Sequence, residues 1–242
     1  MKFNAIPKFS SEADAYFGIV LLVCCIAFML YWFLSISSKI KATYFMGKNA
    51  EMVDYHFVVF TKIFGGFVMA ILPLTAIYFC MYDVAMSLVV GEWHWKETMT
   101  WILAMGIPLM IASYFSGKNP NVQMKYPEVK LKFWDKERGL KYAFSWMVYL
   151  VGYEIMFRGV LFLIPAYYFG FWLALGLNLA LYSISHVPKG ADEAVVALPI
   201  GFLLCLATWQ TEGIYAACVI HILMAWSGNY FAWFHQNKRG FV

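Results

Sequence analysis

Charge is what this sequence has least of. Of its 242 residues only 13% are charged, while 62% are hydrophobic and 20% aromatic. A soluble globular domain carries roughly twice that charged share, so the composition excludes one and points to a polytopic membrane protein. Internal repeats and low-complexity tracts are also missing, only one long polar connection is present, and nothing suggests a soluble domain or a nucleic-acid partner. Cysteine is scarce. All five cysteines (Cys24, Cys25, Cys80, Cys205, Cys218) fall within apolar runs, which excludes an extracellular disulfide framework and a CxxC metal site. No metal or cofactor is expected.

What the chain does contain is hydrophobic runs long enough to cross a bilayer as helices. They lie at 15–37, 58–81, 98–115, 140–164, 166–186, 192–210 and 214–235, which predicts an all-α transmembrane bundle of about seven spans. The third run is short and the second carries Lys62. The first is longer than a signal-peptide core and no small-residue cleavage site follows it, so it reads as a retained span.

Seven spans put the termini on opposite sides. One side then receives thirteen Lys or Arg, in 38–57, 116–139, 187–191 and 236–242 with Lys141; the other receives only Lys2, Lys8 and Lys96. Basic residues favour the cytoplasmic side, which places the N-terminus outside and the C-terminus in the cytoplasm. The chain reads as one integral-membrane domain, 1–242, of a bacterial cytoplasmic membrane. Three front spans (15–115) precede a basic cytoplasmic loop (116–139) and a rear core of four spans (140–235). The loop sets topology and touches anionic headgroups; a sharper reading has it dock a partner or close over a site.

The rear core concentrates the ionisable residues at depth. Charge inside a bilayer is costly, so such groups face the bundle interior and pair. In GYEIMFRGVL, Glu154 and Arg158 stand i, i+4 and share a helix face. In LNLALYSISHVPKG, Asn178, Tyr182 and His186 recur every four residues. His221 and Asn229 lie on one side of the last span. Glu154 with Arg158 can be an ion pair that only fixes packing, and each histidine a hydrogen-bonded interior residue. The same set can hold and deprotonate a water, bind a metal, or ligate a haem through His186 and His221.

The order of these motifs resembles the CPBP family, the CAAX-protease and bacteriocin-processing (ABI) intramembrane proteases. Its signature is EExxxR, then FxxxH, a glycine-containing helix, and HxxxN. Residues 150–230 carry the resemblance, including the FRG after the glutamate, the aromatic four before His186, Pro199-Ile200-Gly201 and the turn Thr211-Glu212-Gly213. The resemblance implies that the first glutamate of EExxxR and the first histidine, here His186, activate a water, that His221 stabilises the oxyanion, and that Arg158 holds the acidic motif; an active enzyme would have to use Glu154 with His186 on the water. It also implies prenylated CAAX tails or other membrane-proximal peptides as substrates.

Two motif positions depart from the family. Tyr153 replaces the first glutamate and Ala225 the asparagine after the second histidine. Tyrosine, with an unperturbed pKa near 10, is a poor base for water, and losing one oxyanion donor costs about 100- to 1,000-fold in rate. Asn229, one turn beyond Ala225, is the residue placed to compensate, with Tyr182 as a further support. The span boundaries also leave His186 about 15 to 20 Å from the depth of Glu154 and His221, at 1.5 Å per residue. The leading expectation is a pseudoprotease serving as a structural or regulatory subunit of a membrane complex, in contact with lipids and a membrane-protein partner. The alternative is an active CAAX-protease-like endopeptidase cleaving a peptide substrate. A third is a bis-histidine haem subunit.

Overall fold

The structure is a computed structural model that describes residues 11–47, 49–81 and 86–238. Lys2, Lys8, Lys48 and Arg239 of the charge tally, and residues 82–85, lie outside the described residues. The described residues are mostly helical and form no strand, with one isolated antiparallel bridge between Gly91 and Gly213. Seven long helices make the bundle. They are α1 (Ser11–Ser35), α2 (Ala50–Cys80), α3 (Trp95–Ser116), α4 (Lys136–Phe169), α5 (Phe171–His186), α6 (Ala191–Gln210) and α7 (Tyr215–Lys238).

Side chains that flank the apolar runs fix where the helices start. Asn49 accepts from the backbone N–H groups of Glu51 and Met52 at the start of α2, and Asp135 accepts from that of Arg138 at the start of α4. Each satisfies a donor that the first helical turn leaves without a partner.

Among the described residues, six stretches are long and apolar enough to cross a membrane, lying in α1 to α6. The predicted seventh span coincides with α7, which falls outside that set. Its hydropathy is diluted by His221, Ser227 and Asn229, all of them buried against the rest of the bundle. Facing outward are apolar side chains such as Leu22, Phe33, Phe67, Ile71, Ile111 and Phe115. An integral membrane protein presents such a surface to lipid.

In the bundle α2 lies between α1 and α4. Gly66 and Gly152 let the backbones of α2 and α4 touch, since a Cβ on either would run into the other helix. The helices α5 and α6 pair closely, and Gly201 leaves room for the ring of Tyr182.

The main departure from the predicted spans concerns the join between α4 and α5. The span boundaries put a turn at residue 165, where Pro165 stands. Instead the helix runs through Pro165 to Phe169 and turns at Gly170, whose φ of 89° suits glycine. Through Ile155–Leu163 the chain adopts π-helical bonding, with one extra residue per hydrogen-bonded turn. The result is a 34-residue rod.

The basic connection between α3 and α4 is pinned rather than loose. Tyr126 donates to Glu193 at 3.0 Å, Gln236 donates to the carbonyl of Tyr126 at 3.0 Å, and Lys125 donates to the carbonyl of Lys189 at 3.2 Å. The connection thus crosses the end of the bundle where α5 finishes and α6 begins.

Candidate active site

The turn at Gly170 removes the depth mismatch. Glu154 and His186 each lie sixteen positions from it, so an antiparallel hairpin brings them to one level. A turn at residue 165 would leave them ten positions out of step, which is about 15 Å at 1.5 Å per residue.

Glu154 and Arg158 are wholly buried, and Arg158 Nη1 stands 3.2 Å from Glu154 Oε2 and 3.3 Å from Oε1. His221, from α7, brings its Nδ1 to 2.5 Å from Glu154 Oε1. A carboxylate only accepts, so Nδ1 carries a proton in this contact. His186 shows the same pattern, with Nδ1 at 2.8 Å from the carbonyl of Tyr182. Glu154 is therefore bonded directly to His221, not to His186.

The guanidinium of Arg158 lies 4.3 Å over the ring of Tyr182, while its Nε and Nη2 make no hydrogen bond among the described residues. The quadrupole of the ring answers part of the charge. Asn178 donates to the carbonyl of Phe157 at 2.6 Å and accepts from Cys205 Sγ at 3.1 Å, which fixes the π-helical stretch against α5 and α6.

Tyr153 is buried at the centre. Its hydroxyl pairs with Ser185 at 2.7 Å, and its ring stacks on Phe157 with centroids 4.3 Å apart. That ring lies 6.4 Å from the imidazole of His186 and 5.7 Å from that of His221. Tyr182 also contacts both, at 4.6 and 6.3 Å. Two tyrosine rings thus occupy ground shared by the histidines, which is where a bis-histidine haem would need its porphyrin.

Asn229 sits elsewhere: it accepts from the hydroxyl of Tyr142 at 3.0 Å and donates to the carbonyl of Ala225 at 2.8 Å. Both ends of its amide are occupied on the α4–α7 seam. Ala225 packs against the main apolar core with no polar contribution.

Against this geometry the family comparison is specific. The model of the Rce1-like family, type II CAAX prenyl endopeptidases, matches residues 139–227. That stretch is similar to the Rce1-like family, and it lies in a chain whose helices are long and apolar enough to span a membrane. The matched segment runs from the start of α4 into α7 and contains Tyr153, Glu154, Arg158, Tyr182, His186 and His221. The front helices lie outside it. No curated protein and no solved structure gives a significant match.

Sequence reasoning missed three polar partners around this Rce1-like segment. Ser185 carried no signal beyond its place beside His186. Lys62, noted only as a flaw in the second span, is buried and ties the front helices to the rear. Its Nζ lies 3.1 Å from Glu128 Oε1, 3.3 Å from the Tyr31 hydroxyl and 3.9 Å over the ring of Trp146. Burial alone would raise the Glu128 carboxyl, but Lys62 and Lys189 outweigh it and hold the group below its ordinary value.

Proposed function

We propose that the chain is a non-hydrolytic Rce1-like protein, a pseudoprotease that works as a structural or regulatory subunit of a membrane complex. One observation carries this reading: Tyr153, at the position of the family's first glutamate, packs its ring against both imidazoles and pairs its hydroxyl with Ser185. A phenol is too weak a base to activate water at neutral pH. Support also comes from Glu154, whose Oε1 is engaged by His221 and Arg158, and from Asn229, held by Tyr142. In this reading Glu154, Arg158, His186 and His221 act as interior ties, and Tyr182 is the platform beneath Arg158.

The surroundings follow the same proposal. The chain is one integral domain of a bacterial cytoplasmic membrane, with the N-terminus outside and the basic connection in the cytoplasm, supported by the thirteen-to-three distribution of basic residues. Exposed apolar side chains on α5 and α6, among them Trp172, Leu173, Val195 and Val196, offer contacts for lipid and for a membrane-protein partner.

The test is cleavage of a farnesylated CAAX peptide by the full chain in liposomes. The wild type should match the Glu154→Gln background, while the double variant Tyr153→Glu, Ala225→Asn, which reinstates the family motif, should show turnover. Wild-type turnover that Glu154→Gln abolishes would overturn the proposal. It would favour a second reading, an intramembrane endopeptidase in which Glu154 orients His221 as a general base, as the 2.5 Å contact permits.

A further inference from the structure

At the end of the bundle away from the basic connection, two chain segments are clamped together. The amide of Glu92 donates to the carbonyl of Glu212 at 2.9 Å, and that of Ile214 to the carbonyl of Val90 at 3.0 Å. This short bridge joins the segment leading into α3 to the turn between α6 and α7. It also brings three side chains to one point. His94 Nε2 lies 3.5 Å from Glu92 Oε2 and 3.6 Å from Glu212 Oε2, and the three ligand atoms all fall within 4.8 Å of one another.

We propose that Glu92, His94 and Glu212 form a binding site for a divalent first-row metal ion of the zinc class. The separations suit an ion between the groups better than a direct hydrogen bond. A hydrogen bond from imidazole to carboxylate closes to about 2.7 to 2.9 Å, and both contacts are well beyond that. Zinc bonds to nitrogen and carboxylate oxygen measure about 2.0 to 2.2 Å, so tetrahedral ligand atoms around zinc stand about 3.3 to 3.6 Å apart. The two observed separations fall in that range.

The imidazole is also held ready. His94 Nε2 is shielded from solvent and makes no hydrogen bond among the described residues, although His94 stands at the N-cap of α3 where a side chain commonly bonds the backbone. One imidazole with two carboxylates suits zinc, manganese or iron rather than calcium, which takes six to eight oxygens. Three protein ligands leave the fourth tetrahedral position to water.

The ion would lock the α6–α7 turn to the segment before α3. That turn sets the start of α7, and α7 carries His221 less than two turns further on. The site is independent of the proposed function, since it lies outside the intramembrane cluster and serves a protease or a pseudoprotease equally.

The experiment uses the full chain in detergent, purified without a polyhistidine tag, stripped with EDTA and titrated with Zn2+ by calorimetry. Co2+ serves as a spectroscopic probe of coordination. One Zn2+ per chain is expected, with tetrahedral Co2+ absorption. His94→Ala and Glu212→Gln should each weaken binding at least about tenfold, the loss that even outer-shell partners of a metal site produce. Glu92 is largely exposed, with 73% of its side chain accessible, so Glu92→Gln tests the site without threatening the fold. It too should weaken binding. No stoichiometric Zn2+ uptake by the wild type would reduce the cluster to a contact among three side chains, and binding unchanged by Glu92→Gln would place the ion elsewhere. Either result overturns the proposal.

Discussion

Glu154 of α4 and His221 of α7 meet at 2.5 Å across 67 residues of sequence, and Arg158 closes on the same carboxylate. In this buried cluster the guanidinium of Arg158 answers the charge of Glu154, and His221 donates a hydrogen bond to the same carboxylate. A carboxylate at this depth is tolerable only because two donors answer it. Removing one partner therefore leaves an uncompensated charge, whereas removing several together does not.

That asymmetry gives a first prediction. Arg158→Met should destabilise the protein by about 3 to 5 kcal/mol, and Glu154→Gln alone should also lower stability. The double variant Arg158→Met, Glu154→Gln should recover part of the loss, read as the apparent melting temperature of each in detergent. Strict additivity of the single losses would mean the pair is not coupled.

Asn178 makes a second test because its amide serves the backbone of α4 rather than a charge. With Asn178→Leu the carbonyl of Phe157 loses its 2.6 Å donor while staying buried. The cost should be about 1 to 3 kcal/mol. Hydrogen exchange should quicken selectively in 155–163, and unchanged protection there would show that the π-helical stretch holds itself.

Acid should loosen the tie between Lys62 and Glu128. The Glu128 carboxyl is held below its ordinary value in the folded protein. Its stabilisation is thus complete above the unfolded carboxylate range, about pH 4.3, and is lost as the pH falls through the lower folded value. The wild type should melt above Glu128→Gln at pH 7, and the gap should narrow as the pH drops below 4. A gap that stays constant with pH would contradict the assignment.

Two glycines of α4 should respond with opposite sign. At Gly152 an added methyl would press into the backbone of Gly66, so Gly152→Ala should cost about 1 to 3 kcal/mol by overpacking. At Gly139 nothing lies within 4 Å, so Gly139→Ala should stabilise the helix by roughly 0.8 to 1 kcal/mol. Melting curves of the two variants decide it.

The sequence by itself determined that this is a helical membrane protein and which residues enter the bundle, because the transfer of each side chain into lipid is a local quantity that sums along a run. It also determined that Glu154, Arg158, His186 and His221 belong together, since charge at depth must find charge or a hydrogen bond. Their arrangement was not legible in it. The place of His186 depended on whether the helix broke at Pro165 or continued to Gly170, and the π-helical stretch settled that through bonds the residue pattern does not announce. The tertiary structure also decided that His221, not His186, takes the carboxylate, that Tyr153 packs against both imidazoles, and that Asn229 turns to Tyr142. Likewise Lys62 met Glu128, and Glu92 and His94 met Glu212, only because helix crossings and a short backbone bridge carried distant segments to one point. Such pairings rest on the lengths and angles of whole helices, which no local stretch of sequence contains.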